Sequence, residues 1–321
     1  MQQNLSLHRF AVFLSGATLI LIAAGASVTS TGSGLAVPDW PLSFGQFFPP
    51  MVGGVLYEHG HRMIAGVIVT LTIILTVWML RKEKRSWLKK LSVVALLSLF
   101  AQAVLGGITV LLKLPTAVSV SHAGLAQIFF CLTVTFALVT SPGWFESRHK
   151  FARADAPPIR GLALATTIAI YTQIILGAVM RHTGAGLAIG DFPLTHGGLF
   201  PAYFSTPIVI HYLHRVGAFA VTVIAIALIV RIMRGHREDA RFKRPALWLA
   251  GLLAFQIFLG ALTIWTRRAV TPTTAHVAIG AAVLAASLVI TFRAFRFLPA
   301  RVTQERAQTM TSEVGQGVLD G

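Results

Sequence analysis

Acidic side chains are scarce in this 321-residue chain: 11 Asp and Glu stand against 27 Lys and Arg. Charged residues of all kinds make up only 12%, too few to clothe the surface of an ordinary soluble domain. There is one cysteine, Cys131, so an intramolecular disulfide and any cysteine-based metal cluster are excluded. Cys131 lies in the middle of an apolar run, where a small packing residue is expected.

What the chain has instead is apolar length. Hydrophobic residues make up 55% of it, and they gather in eight runs, roughly 11–29, 63–80, 91–112, 122–140, 161–180, 212–233, 246–266 and 274–292. A helix needs about 20 such residues to cross a bilayer. The runs predict an all-α polytopic membrane protein with eight transmembrane helices. The first run is read as a helix, not a cleaved signal, because its Gly25-Ala26 matches Gly177-Ala178 of the fifth.

A net charge of +16 raises the question of nucleic acid, and its placement answers it. Lys and Arg concentrate in alternate connections: the N-terminus, 81–90, 148–160, 231–244 and 293–306 together hold 21 of the 27. The opposite faces carry only Arg62, Lys113, Arg181, Arg215, Arg267 and Arg268. By the positive-inside rule both termini are cytoplasmic, and the intervening long loops face outward. A basic cytoplasmic face on anionic lipid accounts for the charge with no nucleic-acid partner.

An internal repeat sets the architecture. The segment Thr31-Gly32-Ser33-Gly34-Leu35-Ala36-Val37-Pro38-Asp39-Trp40-Pro41-Leu42 returns 152 positions later as Thr183-Gly184-Ala185-Gly186-Leu187-Ala188-Ile189-Gly190-Asp191-Phe192-Pro193-Leu194. Each copy precedes a His-Arg pair, His61-Arg62 and His214-Arg215. Each half holds an even number of crossings, so the copies share one orientation: a parallel repeat of two four-helix bundles. The expected divisions are 1–146, a cytoplasmic linker 147–160, a second bundle 161–300 and a disordered cytoplasmic tail 301–321.

The repeat pairs the histidines. His122 opens the fourth run as His276 opens the eighth, 154 positions on, so the even helices each begin with one histidine at the outward end. Imidazoles on two facing helices suit the axial positions of a b-type haem, or another metal preferring nitrogen donors. A lone histidine at a helix end is usually interfacial; four in register point to ligation. Gln102, Gln173 and Gln256 each begin a Gln-x-x-Leu-Gly motif, expected to give close packing with an interhelical hydrogen bond. Arg62 and Arg215 suit either a haem propionate or snorkelling to the interface.

The halves differ at one place. Glu58 lies one helical turn before His61, and His211 occupies the matching position before His214. A carboxylate there can serve as general acid or base, or simply favour a helix N-terminus. This asymmetry suggests a reactive site in the first half and an electron-transfer or supporting site in the second. Asp39 and Asp191 in the repeated loops are expected to stabilise turns. His8, His59, His149 and His236 are read as ordinary, and His182 and His196 are left open.

The stretch Gly32–Leu42, the run Glu58-His-Gly-His-Arg62, His122 and the degenerate second set resemble the haem A synthase family over about residues 10–295. The resemblance implies oxidation of a ring methyl of haem O to a formyl group by successive hydroxylations, with water as oxygen source, in a bacterial cytoplasmic membrane. By similarity His61 and His122 would face the substrate haem and Glu58 would be the essential carboxylate. His214 and His276 would ligate a haem b cofactor. It also implies a haem O synthase upstream, cytochrome oxidase assembly downstream and an electron acceptor of unknown identity. Many family members carry a cysteine pair in each outer loop, where this chain has Val37 and Ser43, then Ile189 and Thr195. His211 becomes a candidate for supporting the cofactor haem. Two other classes stand beside this one: a di-haem b electron-transfer cytochrome, and a parallel-repeat transporter, for which the runs hold few midplane polar groups.

Overall fold

The computed structural model describes residues 4–145 and 158–298, and they are all helical apart from the connections. The eight helices are α1 (Leu5–Ser30), α2 (Gly54–Lys82), α3 (Ser86–Leu111), α4 (Thr116–Thr140), α5 (Arg160–His182), α6 (Thr206–Gly235), α7 (Ala240–Trp265) and α8 (Val270–Phe297). Each is long and apolar enough to cross a membrane. Single 3₁₀ turns occur at Pro142–Trp144 and Ala185–Leu187. Most of the linker 147–160 and all of the tail 301–321, with His149, lie outside the described residues.

Every helix begins before the apolar run that announced it. Windows of hydropathy register only the hydrocarbon-spanning part, whereas a helix continues into the polar interface as long as its backbone is satisfied. One consequence corrects an expectation. The histidines do not open the even helices: α2 begins at Gly54, α4 at Thr116, α6 at Thr206 and α8 at Val270. Each histidine therefore stands about two turns inside its helix.

Local chemistry sets several ends. Asn4 accepts from the Leu7 amide at 3.0 Å and caps α1. Asp239 caps α7 through the Arg241 amide at 2.9 Å. Pro245 lacks an N–H, which frees the Arg241 carbonyl one turn earlier, and Arg293 of α8 donates to that oxygen at 2.6 Å.

Helices α1–α4 close a ring of neighbours, α1 on α2, α2 on α3, α3 on α4 and α4 on α1; α5–α8 do the same. Each ring has its own apolar core, with Leu14, Ile68, Met79 and Phe136 in one and Ile170, Leu228, Phe242 and Leu284 in the other. The rings meet where α1 packs on α8 and α4 packs on α5 and α8. Arg181 of α5 reinforces this seam, donating to the Ala26 carbonyl and Ser30 Oγ of α1, both at 2.7 Å. Outward-facing side chains such as Phe13, Leu97, Phe219 and Trp248 are well exposed. In water such a surface would aggregate; facing lipid it is the stable arrangement, because every helix satisfies its own backbone.

Candidate functional site

Four glycines seat four histidines. A Cβ placed on Gly25 of α1 would stand 3.0 Å from His61 Cε1, and one on Gly106 of α3 would stand 3.1 Å from His122 Cε1. The same relation joins Gly177 of α5 to His214 at 3.0 Å and Gly260 of α7 to His276 at 3.2 Å. Each imidazole thus brings its Cε1 edge up to a backbone that only glycine leaves bare. His61 and His122 are within electrostatic reach of each other, as are His214 and His276. Each expected pair lies within one four-helix ring, His61 on α2 with His122 on α4 and His214 on α6 with His276 on α8.

The Gln-x-x-Leu-Gly motifs supply the expected interhelical bonds, and the partner is the histidine itself. Gln102 Nε2 donates to the His122 carbonyl at 2.8 Å, while His122 Nδ1 meets the Gln102 carbonyl at 3.1 Å. Gln173 Nε2 lies 2.7 Å from the His214 carbonyl and 3.0 Å from His214 Nδ1. Gln256 Nε2 lies 3.4 Å from His276 Nε2.

Above each pair lies one copy of the repeated loop. Asp39 accepts from the Phe44 and Gly45 amides at 2.7 and 2.8 Å; Asp191 accepts from His196 and Gly197, both at 2.9 Å. These amides, Gly45 and Gly197 foremost, hold both carboxyls below the ordinary value of 3.8. Trp40–Pro41 and Phe192–Pro193 are both cis. The Trp40 ring packs directly on Gly107, next to the glycine that seats His122.

Arg62 ties the first loop to α2. Its Nη1 donates to the Asp39 and Leu42 carbonyls, both at 2.8 Å, and its Nη2 to Glu58 Oε1 at 2.7 Å. Glu58, buried, accepts from the Val37 amide at 2.9 Å through its other oxygen. The second loop is tied the same way: Arg215 donates to the Leu194 and Asp191 carbonyls at 2.7 and 2.6 Å, and His211 Nδ1 accepts from the Ile189 amide at 3.2 Å. Arg215 Nε lies beside His211 Nε2, 3.3 Å away, but a neutral imidazole accepts at one nitrogen only, and here that nitrogen is Nδ1. Both arginine forks are therefore engaged with loop backbone, a use that neither the propionate nor the snorkelling expectation included. Glu58 does not cap α2, whose first turn holds no acidic residue.

His59, read from the sequence as ordinary, is buried and bonds Ser43 Oγ at 2.8 Å, so it is a further loop anchor. Its neighbours Val37 and Ser43 are fully buried, as are Ile189 and, nearly, Thr195. The four positions where the family resemblance led one to look for cysteines are thus the buried studs of the two loops. His196 stacks on Tyr203 at 5.3 Å in the second loop, and the His182 carbonyl accepts from Thr116 at 3.3 Å across the seam.

Comparison with known proteins places this geometry. A family model described as cytochrome oxidase assembly protein (COX15-CtaA) matches residues 52–288, which hold Glu58 and all four histidines. The haem A synthase of Symbiobacterium thermophilum is 33% identical over 78% of this chain and 84% of its own length. That of Halalkalibacterium halodurans is 31% identical over 76% and 80% respectively. The Bacillus pumilus haem A synthase is 29% identical over 84% and 89%. The chain belongs to the haem A synthase family.

The residues present fit a haem at each pair. Haem A synthase relatives are named for a haem product, and a porphyrin needs only axial donors from protein. Two imidazoles per site supply them, and among the described residues no group of three or more His, Cys, Asp or Glu competes as a closed metal site. His61 Nδ1 and His276 Nδ1 are buried without a hydrogen-bond partner, and such orphaned atoms in a bundle core point to a missing ligand.

Proposed function

We propose that this protein oxidises a ring methyl of haem O to a formyl group, giving haem A for cytochrome oxidase. The observation that carries this reading is the twofold set of glycine-seated histidine pairs, of which one alone stands beside a carboxylate. Residues 1–146 form the substrate half, in which His61 and His122 face haem O. Residues 161–300 form the cofactor half, in which His214 and His276 hold haem b; 147–160 links the two and 301–321 is a cytoplasmic tail. A bound haem b supplies one-electron redox capacity.

The balance defines what the chain must do. Converting a methyl to a formyl group with one water releases four protons and four electrons, so the site needs a proton acceptor and an exit for electrons. Glu58 is the acid–base group of the first half: its carboxyl is buried, paired with Arg62 at 2.7 Å, and one turn from His61. Glu58 Oε2 accepts the Val37 amide through one lone pair and keeps a second for a proton. The electrons pass to an acceptor outside the chain. A haem O synthase supplies the substrate, and the prenyl tail of haem O suits a bundle whose outer surface is already lipid-facing.

Both termini lie in the cytoplasm of a bacterial membrane and both haem sites lie towards the outer face, as the basic cytoplasmic connections support. A di-haem b electron carrier remains the competing reading, under which no modified haem appears. The test is extraction of haems from the purified protein, followed by chromatography. Haem b together with haem O or haem A supports the proposal; haem b alone in cells rich in haem O overturns it.

A further inference from the structure

Three of the four histidines share a device that the fourth lacks. One turn before the seating glycines Gly106, Gly177 and Gly260 stand Gln102, Gln173 and Gln256; the Gln102 backbone carbonyl meets the His122 ring, and the side-chain amides of Gln173 and Gln256 meet the rings of His214 and His276. One turn before Gly25 stands Leu21, a partly buried member of the apolar core. Leu21 has no side-chain donor or acceptor, and among the described residues the His61 ring is the one of the four that makes no hydrogen bond, whereas His122, His214 and His276 each make one. The second half also makes room for its amides: a Cβ on Gly217 of α6 would collide with Gln173 Oε1, and one on Gly280 of α8 would lie 3.1 Å from Gln256 Nε2. The first-half residue three after His61, matching Gly217 after His214, is Ile64.

Resting on the proposed function above, we infer that Leu21 makes His61 the one releasable iron ligand, so that the first half can exchange its haem while the second half keeps its own. A group that orients a ligating imidazole also sets how firmly it ligates. A cofactor must stay and a substrate must enter and leave. Gln173 and Gln256 hold both ligands of the second pair. The Gln102 backbone carbonyl holds the His122 ring, and no hydrogen bond holds the His61 ring, which would be the easier of the two for a bound haem to lose. Leu21, Gln102, Gln173 and Gln256 are positioning residues, acting through the histidines.

The experiment uses the purified protein with its bound haems, mixed with excess apomyoglobin as scavenger. Haem release is followed by chromatography, which separates the haem O and A fraction from haem B, alongside the low-spin electron paramagnetic resonance signal. Wild type should release the O and A fraction faster than haem B. L21Q/I64G, which rebuilds the second-half pattern in the first, should slow that release about 10–100-fold, the range typical of such supporting contacts, and sharpen the low-spin signal while haem B is unaffected. Q173L and Q256L should each speed loss of haem B only, since their amides meet the rings of His214 and His276. L21Q/I64G with haem B retained but O and A release at the wild-type rate overturns the inference, as does Q173L with haem B held as before. Should L21Q/I64G fail to fold, Q173L and Q256L decide the matter alone: haem B release faster in both with the O and A fraction unmoved supports the inference, and haem B held as before overturns it. Absence of haem A from wild type itself would count against the proposed function; haem A present with unmoved release rates counts against this inference only.

Discussion

Glu58 and His211 make the same contact on equivalent helices. Each accepts the amide of the loop residue two before the repeated aspartate, Val37 at 2.9 Å and Ile189 at 3.2 Å, and each has the arginine four residues on beside it, ion-paired in the case of Glu58. Anchoring the loop is thus the duty both share. Carrying a negative charge is what Glu58 adds.

That separation makes Glu58→His an informative substitution, because it installs the second-half residue in the first half. Loop anchoring and haem content should persist while haem A formation falls at least ~100-fold, the scale of a lost general acid–base group. Haem analysis of membranes checks both quantities together. Normal haem A production in this variant would reduce Glu58 to a loop anchor.

Removing the arginines should cost unequally. Arg62→Ala strands a buried carboxylate, at about 3–5 kcal/mol. Arg215→Ala strands several carbonyls, at about 1–3 kcal/mol. Thermal unfolding in detergent should therefore show the larger drop for Arg62→Ala; equal drops would mean that the Glu58 charge contributes nothing to the clamp.

Gly177 leaves no space for a side chain. Gly177→Val should push the His214 ring off its seat and lower haem b affinity about 10–100-fold, without touching the first-half site. Gly16, which has nothing within 4 Å of an added Cβ, is the control, and Gly16→Ala should leave haem content unchanged. Visible absorption of the purified variants reports the outcome.

Asp39 and Asp191 have depressed carboxyl values, so their contribution is present above the ordinary 3.8 and is lost as pH falls below it. Hydrogen exchange in residues 39–45 and 191–197 should accelerate in that acid range and not between pH 5 and 8. Asp39→Asn should remove the acid dependence from the first loop only.

The helix count, the histidine pairing and the Glu58–His211 mismatch were legible in the sequence because each is a property of periodicity or of aligned positions. The loop clamps were not. Arg62 and Arg215 bind mostly carbonyl oxygens, which every residue possesses, so no side-chain pattern announces them. His59 was missed because its partner Ser43 lies 16 residues away in a loop whose course hydropathy does not describe. The glycine seats had a visible signal in the Gln-x-x-Leu-Gly motifs, yet the exception at Leu21 carries no motif. It became visible only once Gly25 was found against His61.

The central claim is tested most directly in cells that make haem O but no haem A, with and without this chain. Extracted haems are separated by chromatography and identified by mass. The account predicts that haem A appears only when the chain is present and that Glu58→His abolishes it. Haem O remaining wholly unconverted in membranes that hold the folded, haem b-containing protein would contradict it.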